Sequence, residues 1–208
     1  MPLDATRNSL VLPLLGLLVE HPAHAYDLTT RLHERYQRGT TRSTVTTLLK
    51  TLERNGLVAA RAPEQVGNRP PRTVYEPTAA GLADFRAKVE SGLVDSPAAS
   101  VDFTLAVAYV AILPADRAAT ILEDRATRLD GELDALRLPP DVREAHMLEV
   151  AYWRSVVTAE ITWTRATAQR IRAGELDWPD AGQPHPNQQN TSRQNTECPD
   201  HRPERTDP

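Results

Sequence analysis

Residues 42–56, Arg-Ser-Thr-Val-Thr-Thr-Leu-Leu-Lys-Thr-Leu-Glu-Arg-Asn-Gly, constrain the fold of this chain more than any other stretch. Val45, Leu48, Leu49 and Leu52 recur at i, i+3, i+4 and i+7, the stripe that a helix buries along one side. At about 100° per residue, Ser43, Thr47, Lys50 and Arg54 fall on the opposite face, with Thr44 on its shoulder. Thr41 stands ready as a cap, and Asn55-Gly56 tolerates the left-handed turn that ends a helix. An outward face of small hydroxyls and two cations, in place of the usual Glu/Lys pairs, lets the helix backbone sit deep in a groove. An ordinary amphipathic surface helix shares the apolar stripe, so the flanking segments have to decide between the two.

Upstream, residues 6–20 carry Leu10, Leu14, Leu17 and Leu18 on one helical face, and Pro13 either bends that helix or marks its true start. Pro22 breaks it; Tyr26, Leu28, Leu32 and Tyr36 suggest a second helix, and Gly39-Thr40-Thr41 a stop and restart. Downstream, residues 57–62 and 72–76 read as two short strands. The loop between them ends in Gly67-Asn68-Arg69-Pro70-Pro71-Arg72, whose prolines would present two arginines at little entropic cost. Thr78 then caps a fourth helix running to about residue 95. Three helices followed by a two-stranded ribbon is the order of a winged helix-turn-helix. In that fold the third helix enters the major groove, so Arg42, Ser43, Thr44, Thr46, Thr47 and Lys50 are the expected DNA contacts. Arg69 and Arg72 are expected to reach a phosphate or the minor groove from the wing.

Charge supports this division. Residues 1–77 hold ten Lys/Arg against seven Asp/Glu, whereas residues 78–208 hold fourteen against twenty-one. A mildly basic module joined to an acidic remainder suits an anion-facing first part.

The remainder reads as helical. Residues 101–113 form a short apolar segment read as helix. Pro114 opens a helix with Ala118, Ile121, Leu122, Leu129, Leu133 and Leu136 on one face. After Pro139-Pro140, residues 141–173 are expected to make a long last helix stopped by Gly174. In it, Met147, Val150, Val157, Ile161, Ala168 and Ile171 approach heptad spacing, interrupted by Arg154 and Thr164, which suits either a seam between two subunits or packing within one chain. The polar residues 180–208, rich in Pro, Asn and Gln, bury too little to offset their ordering entropy and are expected to be disordered. The expected organisation is therefore a DNA-binding unit over 6–95, a helical dimerisation and effector unit over 98–178, and a tail over 180–208.

Several residues together resemble the PadR family of winged-helix transcriptional regulators. These are His24-Ala25-Tyr26-Asp27-Leu28, the run from Leu49 to Val58, Arg69-Pro70-Pro71-Arg72, Val74-Tyr75 and Thr78-Ala79-Ala80-Gly81. The layout of the second half resembles the larger subclass with an extended helical dimerisation region. The chain departs from the family pattern at Ser43 and Thr46, where a Gly and a Tyr are usual, and at Ala25 in place of the Gly of His-Gly-Tyr. For Thr46 the resemblance implies a shorter donor to the DNA backbone. It also implies a response to aromatic or drug-like compounds; Tyr152, Trp153 and Trp163 on the last helix are the candidate effector contacts, with filling of a dimer core as the other role open to them.

Other chemistry has little to stand on. His21-x-x-His24 has a spacing open to a metal, but Pro22 intervenes and no Cys or carboxylate cluster follows, so no metal site is expected. Cys198 and His201 lie in the polar tail. There is no glycine-rich phosphate loop and no nucleophile elbow, so neither a cofactor nor an enzymatic activity is expected. Residues 8–21 are apolar but too short and interrupted to span a bilayer, and a single cysteine points to a reducing cytoplasm. The expectation is a cytoplasmic homodimeric repressor bound to double-stranded DNA at a palindromic operator and released by a small aromatic effector. The rivals are a winged-helix protein-interaction adaptor that does not bind DNA, and a ligand-binding helical protein with a vestigial winged helix.

Overall fold

The structure is a computed structural model that describes residues 8–37, 39–61, 72–136 and 143–179. Helix α1 spans Val11–Glu20, α2 Ala25–Tyr36 and α3 Arg42–Arg54. α1 starts later than the apolar pattern suggests. Pro13 therefore sits in the first turn, where its missing N–H would have had no partner anyway. α3 keeps the expected stripe: Val45, Leu48, Leu49 and Leu52 are all buried, each contributing about 1.5–3 kcal/mol by leaving water. Thr41 caps it by accepting from the Thr44 N–H at 3.2 Å, and Gly56 at φ +70° turns the chain out.

The sheet has one strand more than the sequence shows. β1 (Ala23–His24) pairs antiparallel with β3 (Val74–Pro77), which pairs antiparallel with β2 (Val58–Ala60), giving the order β1-β3-β2. Two residues are too few to carry a strand period, so β1 shows only through its partner. Its register, His24 opposite Val74, ties the start of α2 to the base of the wing. The wing loop itself, with Arg69, Pro70 and Pro71, lies outside the described residues.

Helix α4 (Ala79–Asp95) follows at once, with Thr78 accepting from the Gly81 N–H at 3.0 Å. The Thr78 N–H in turn donates to the Leu57 carbonyl at 3.0 Å. A Cβ at Gly81 would fall inside that carbonyl oxygen, so glycine is what allows α4 to sit so close to the chain entering β2. α5 (Val101–Ala108) is helical, as the apolar run at 101–113 suggested, but stops at Tyr109 and passes into a 3-10 turn at Val110–Ile112. Tyr109 packs its ring on Gly16 of α1 and shares a hydroxyl–hydroxyl hydrogen bond with Tyr36 of α2.

α6 (Ala115–Ala135) and α7 (Leu148–Arg172) form a helical pair. The last helix begins later than residue 141: a 3-10 turn at Glu144–His146 precedes it, and residues 137–142 lie outside the described residues. Gly174 at φ +67° ends it, as expected. One apolar cluster links α1 to α6 and reaches Ala168 and Ile171 of α7; a second joins Ala126 and Leu129 of α6 to Val157 and Ile161 of α7. Of the two readings of the heptad-like residues of α7, packing within the chain holds for four of them. Val157, Ile161, Ala168 and Ile171 are buried within the chain, and Met147 is only the N-cap. The tail over 180–208 lies outside the described residues.

Candidate nucleic-acid interface

α3 is held on its inner side, so its outer side is presented as a rigid surface. Arg42, Ser43, Thr44, Thr47 and Lys50 are exposed and Thr46 is half-buried. The hydroxyls are partly engaged. Thr41 Oγ1 lies 2.8 Å from Ser43 Oγ and 2.9 Å from Thr44 Oγ1, drawing both onto the cap. Thr46 Oγ1 donates to the Arg42 carbonyl at 2.8 Å, so its proton is committed to the helix and it faces outward as an acceptor. Arg54 folds back along the helix, donating to Thr51 Oγ1 at 3.0 Å. That leaves Arg42 and Lys50 as the cations of α3 turned toward a common feature.

That feature is a cavity of about 430 Å³ lined by Arg42, Thr46 and Lys50 of α3, His24, Ala25 and Tyr26 at the start of α2, and Arg72, Thr73 and Tyr75 at the base of the wing. Three cations from two elements converge there. Among the described residues α2 has no side-chain cap, so the N–H groups of its first turn remain available for an anion. Arg72 is ordered by a neighbour: its Nη1 lies 2.8 Å from His24 Nε2, while His24 Nδ1 pairs with Asp27. Sequence alone does not point to His24 in this role, because its partner Arg72 is 48 residues away. Among the described residues no group of three or more His, Cys, Asp or Glu side chains is placed to hold a metal ion. Arg69 lies outside the described residues.

The candidate effector residues sit elsewhere. Tyr152 is 68% exposed, Trp163 45% and Trp153 39%. Trp163 packs edge-on to Phe103 with centroids 6.3 Å apart. Leu148, Tyr152, Ala159 and Trp163 follow one another at intervals of about one or two turns on the outer side of α7, opposite the face packed on α6. Trp178, by contrast, is folded in and donates its indole N–H to the Leu113 carbonyl at 2.9 Å. No helix among the described residues is long and apolar enough to cross a membrane.

The family described as "Transcriptional regulator PadR-like family" matches residues 14–87, a span that runs from within α1 through α2, α3 and the sheet into the first half of α4. No curated protein matches the chain. Among solved structures, it is similar to a PadR family transcriptional regulator from Eggerthella lenta, at 30% identity over 40% of this chain and 71% of that one, with a TM-score of 0.35. It is also similar to Bacillus subtilis PadR in complex with operator DNA, at 17% identity over 78% of this chain and 98% of that one, with a TM-score of 0.37. The same Bacillus subtilis protein in complex with p-coumaric acid is 16% identical, over 79% of this chain and 99% of that one, with a TM-score of 0.34. With the winged helix described above and the match over residues 14–87, this chain belongs to the PadR-like family of transcriptional regulators.

Proposed function

We propose that the protein is a homodimeric repressor that binds a palindromic operator through α3 and the wing and is released by a planar aromatic compound. The observation that carries the DNA reading is the convergence of Arg42, Lys50 and Arg72 on one cavity beside the uncapped start of α2. A phosphate seated there would meet three cations and free backbone N–H groups at once. Ser43, Thr44, Thr46 and Thr47 then face the groove as short polar contacts that leave room for base edges. Arg69 belongs to the same reading, as the contact of the wing tip.

So few cations bind DNA weakly one half-site at a time, and pairing two copies raises the effective concentration of the second. The outward stripe of α7, with Leu148, Tyr152 and Trp163, supports pairing: these large apolar side chains stand exposed among the described residues. Occupancy of an operator by such a dimer would block transcription, hence the proposed sign. An aromatic ligand stacked on Tyr152, Trp153 or Trp163 would release DNA only by favouring a dimer spacing that the operator does not fit.

The test is a salt series with a fluorescein-labelled duplex from the region upstream of the protein's own gene. Removing one phosphate interaction lowers the slope of log K against log salt by about 0.9. Lys50→Ala and Arg42→Ala should each weaken binding and flatten this slope. A wild type that binds no duplex at low salt sinks the reading in favour of the adaptor.

A further inference from the structure

We propose that His24 is a positioning residue of the DNA-facing cavity: a neutral imidazole, anchored by Asp27, that holds Arg72 in the orientation that meets a phosphate. The inference rests on the DNA-binding reading above and adds a residue that itself does not touch the nucleic acid.

The hydrogen-bonding polarity of its two neighbours assigns the state of the ring. His24 Nδ1 faces a carboxylate oxygen of Asp27, which can only accept, so Nδ1 carries a proton. His24 Nε2 lies 2.8 Å from Arg72 Nη1, and a guanidinium can only donate, so Nε2 presents its lone pair. A ring with a proton on Nδ1 alone satisfies both neighbours. The backbone keeps the ring in place, because His24 is paired with Val74 in the sheet and is the N-cap of α2. Asp27 is one turn further along α2, the spacing that lets it reach back to the ring.

The consequence is for Arg72. Its side chain is exposed and long, and ordering such a chain on binding costs rotamer freedom. Arg42 and Lys50 line the same cavity and repel it, while Tyr26 and Tyr75 offer it no charge. The Asp27–His24 pair supplies the acceptor that keeps Arg72 at the cavity before DNA arrives. This is the arrangement by which a carboxylate fixes the tautomer of a histidine so that its other nitrogen has one defined role.

The experiment uses the full chain and the same labelled duplex, since phosphate contacts do not depend on sequence. Four variants are compared: Arg72→Ala, His24→Asn, His24→Gln and Asp27→Ala, with His24→Asn also placed in the Arg72→Ala background. His24→Asn keeps a donor near Asp27 but removes the acceptor for Arg72; His24→Gln puts an amide oxygen near the position of Nε2. Arg72→Ala and His24→Asn should each weaken binding by about tenfold and lower the salt slope by about 0.9, with no further loss when combined. His24→Gln should recover most of the affinity. Asp27→Ala supplies a sign test that a fold defect in the histidine variants does not touch. Removing a negative charge beside DNA should tighten binding on electrostatic grounds alone, whereas a missing anchor should weaken it about threefold or more. Additive losses in the double variant, or tighter binding by Asp27→Ala, would overturn the proposal while the wild-type salt series still upholds DNA binding. A wild type without salt-dependent binding takes down both.

Discussion

Arg125 and Arg72 each hold a partner distant in the chain, yet they sit in opposite surroundings. The Arg125 side chain is fully buried. It donates to Glu160 at 2.8 Å, to the carbonyls of Leu93 and Ser96 at 3.0 and 2.9 Å, and to that of Pro97 at 3.1 Å. Its guanidinium carbon stands 3.8 Å over the Phe103 ring. Glu160 completes the knot by accepting from the Ala99 N–H at 2.6 Å. Burial holds the Arg125 guanidinium below the usual arginine range, with Glu160 pulling it back up. Arg72 is exposed and has one nitrogen on His24, with the rest of its fork turned to an open cavity. The difference is one of function. A charge with its hydrogen bonds met inside the chain joins elements, here the end of α4 to α6 and α7; on the proposed reading, the more open charge of Arg72 serves a phosphate outside.

The two regions should therefore respond differently to substitution. The largest effect is expected for Arg125→Ala, which leaves the largely buried Glu160 without its cation and the Leu93 and Pro97 carbonyls without this donor, while Ser96 keeps only Arg128 at 3.5 Å. A loss of about 3–5 kcal/mol in urea unfolding is expected. A loss below about 1 kcal/mol would mean that Arg125 does not close this part of the fold. An intermediate effect is expected at Tyr109, where burial pushes the phenol pKa well above the ordinary range and the hydroxyl meets Tyr36. Tyr109→Phe keeps the packing on Gly16 and should cost about 1 kcal/mol by the same measurement. An unchanged midpoint would show that the hydroxyl pair adds nothing to the joint between α2 and the helix end at Tyr109. The smallest effect on stability belongs to the open region. Arg42→Ala and Lys50→Ala should each stay within about 0.5 kcal/mol of the parent in thermal or urea unfolding, while the proposed function has them weaken DNA binding. A large destabilisation at either would erase the contrast.

The two amphipathic helices show where sequence reading holds and where it ends. In α3 a single apolar stripe faces a polar one, so the buried face, the cap at Thr41 and the stop at Gly56 could all be read from local spacing. In α7 two stripes compete. Val157, Ile161, Ala168 and Ile171 repeat at one spacing, and Leu148, Tyr152 and Trp163 at another on the other side. Periodicity says that both are helical faces but cannot say which one α6 will cover. α6 offers Ala126 and Leu129, small and medium side chains that fit Val157 and Ile161 and leave the aromatic side out.

What the sequence determined by itself was the chain of local events: four helices, the threonine caps of the third and fourth, a turn suited to glycine, two strands around a Pro-rich loop, and a hydroxyl-and-cation face on the third helix. These follow from neighbours within a few residues, where propensity and period act directly. Only the tertiary structure decided the third strand, the inward face of α7, the closure around Arg125 and the Asp27–His24–Arg72 line. Each depends on partners drawn from distant parts of the chain, and no local pattern records which donor a folded backbone will bring to which acceptor.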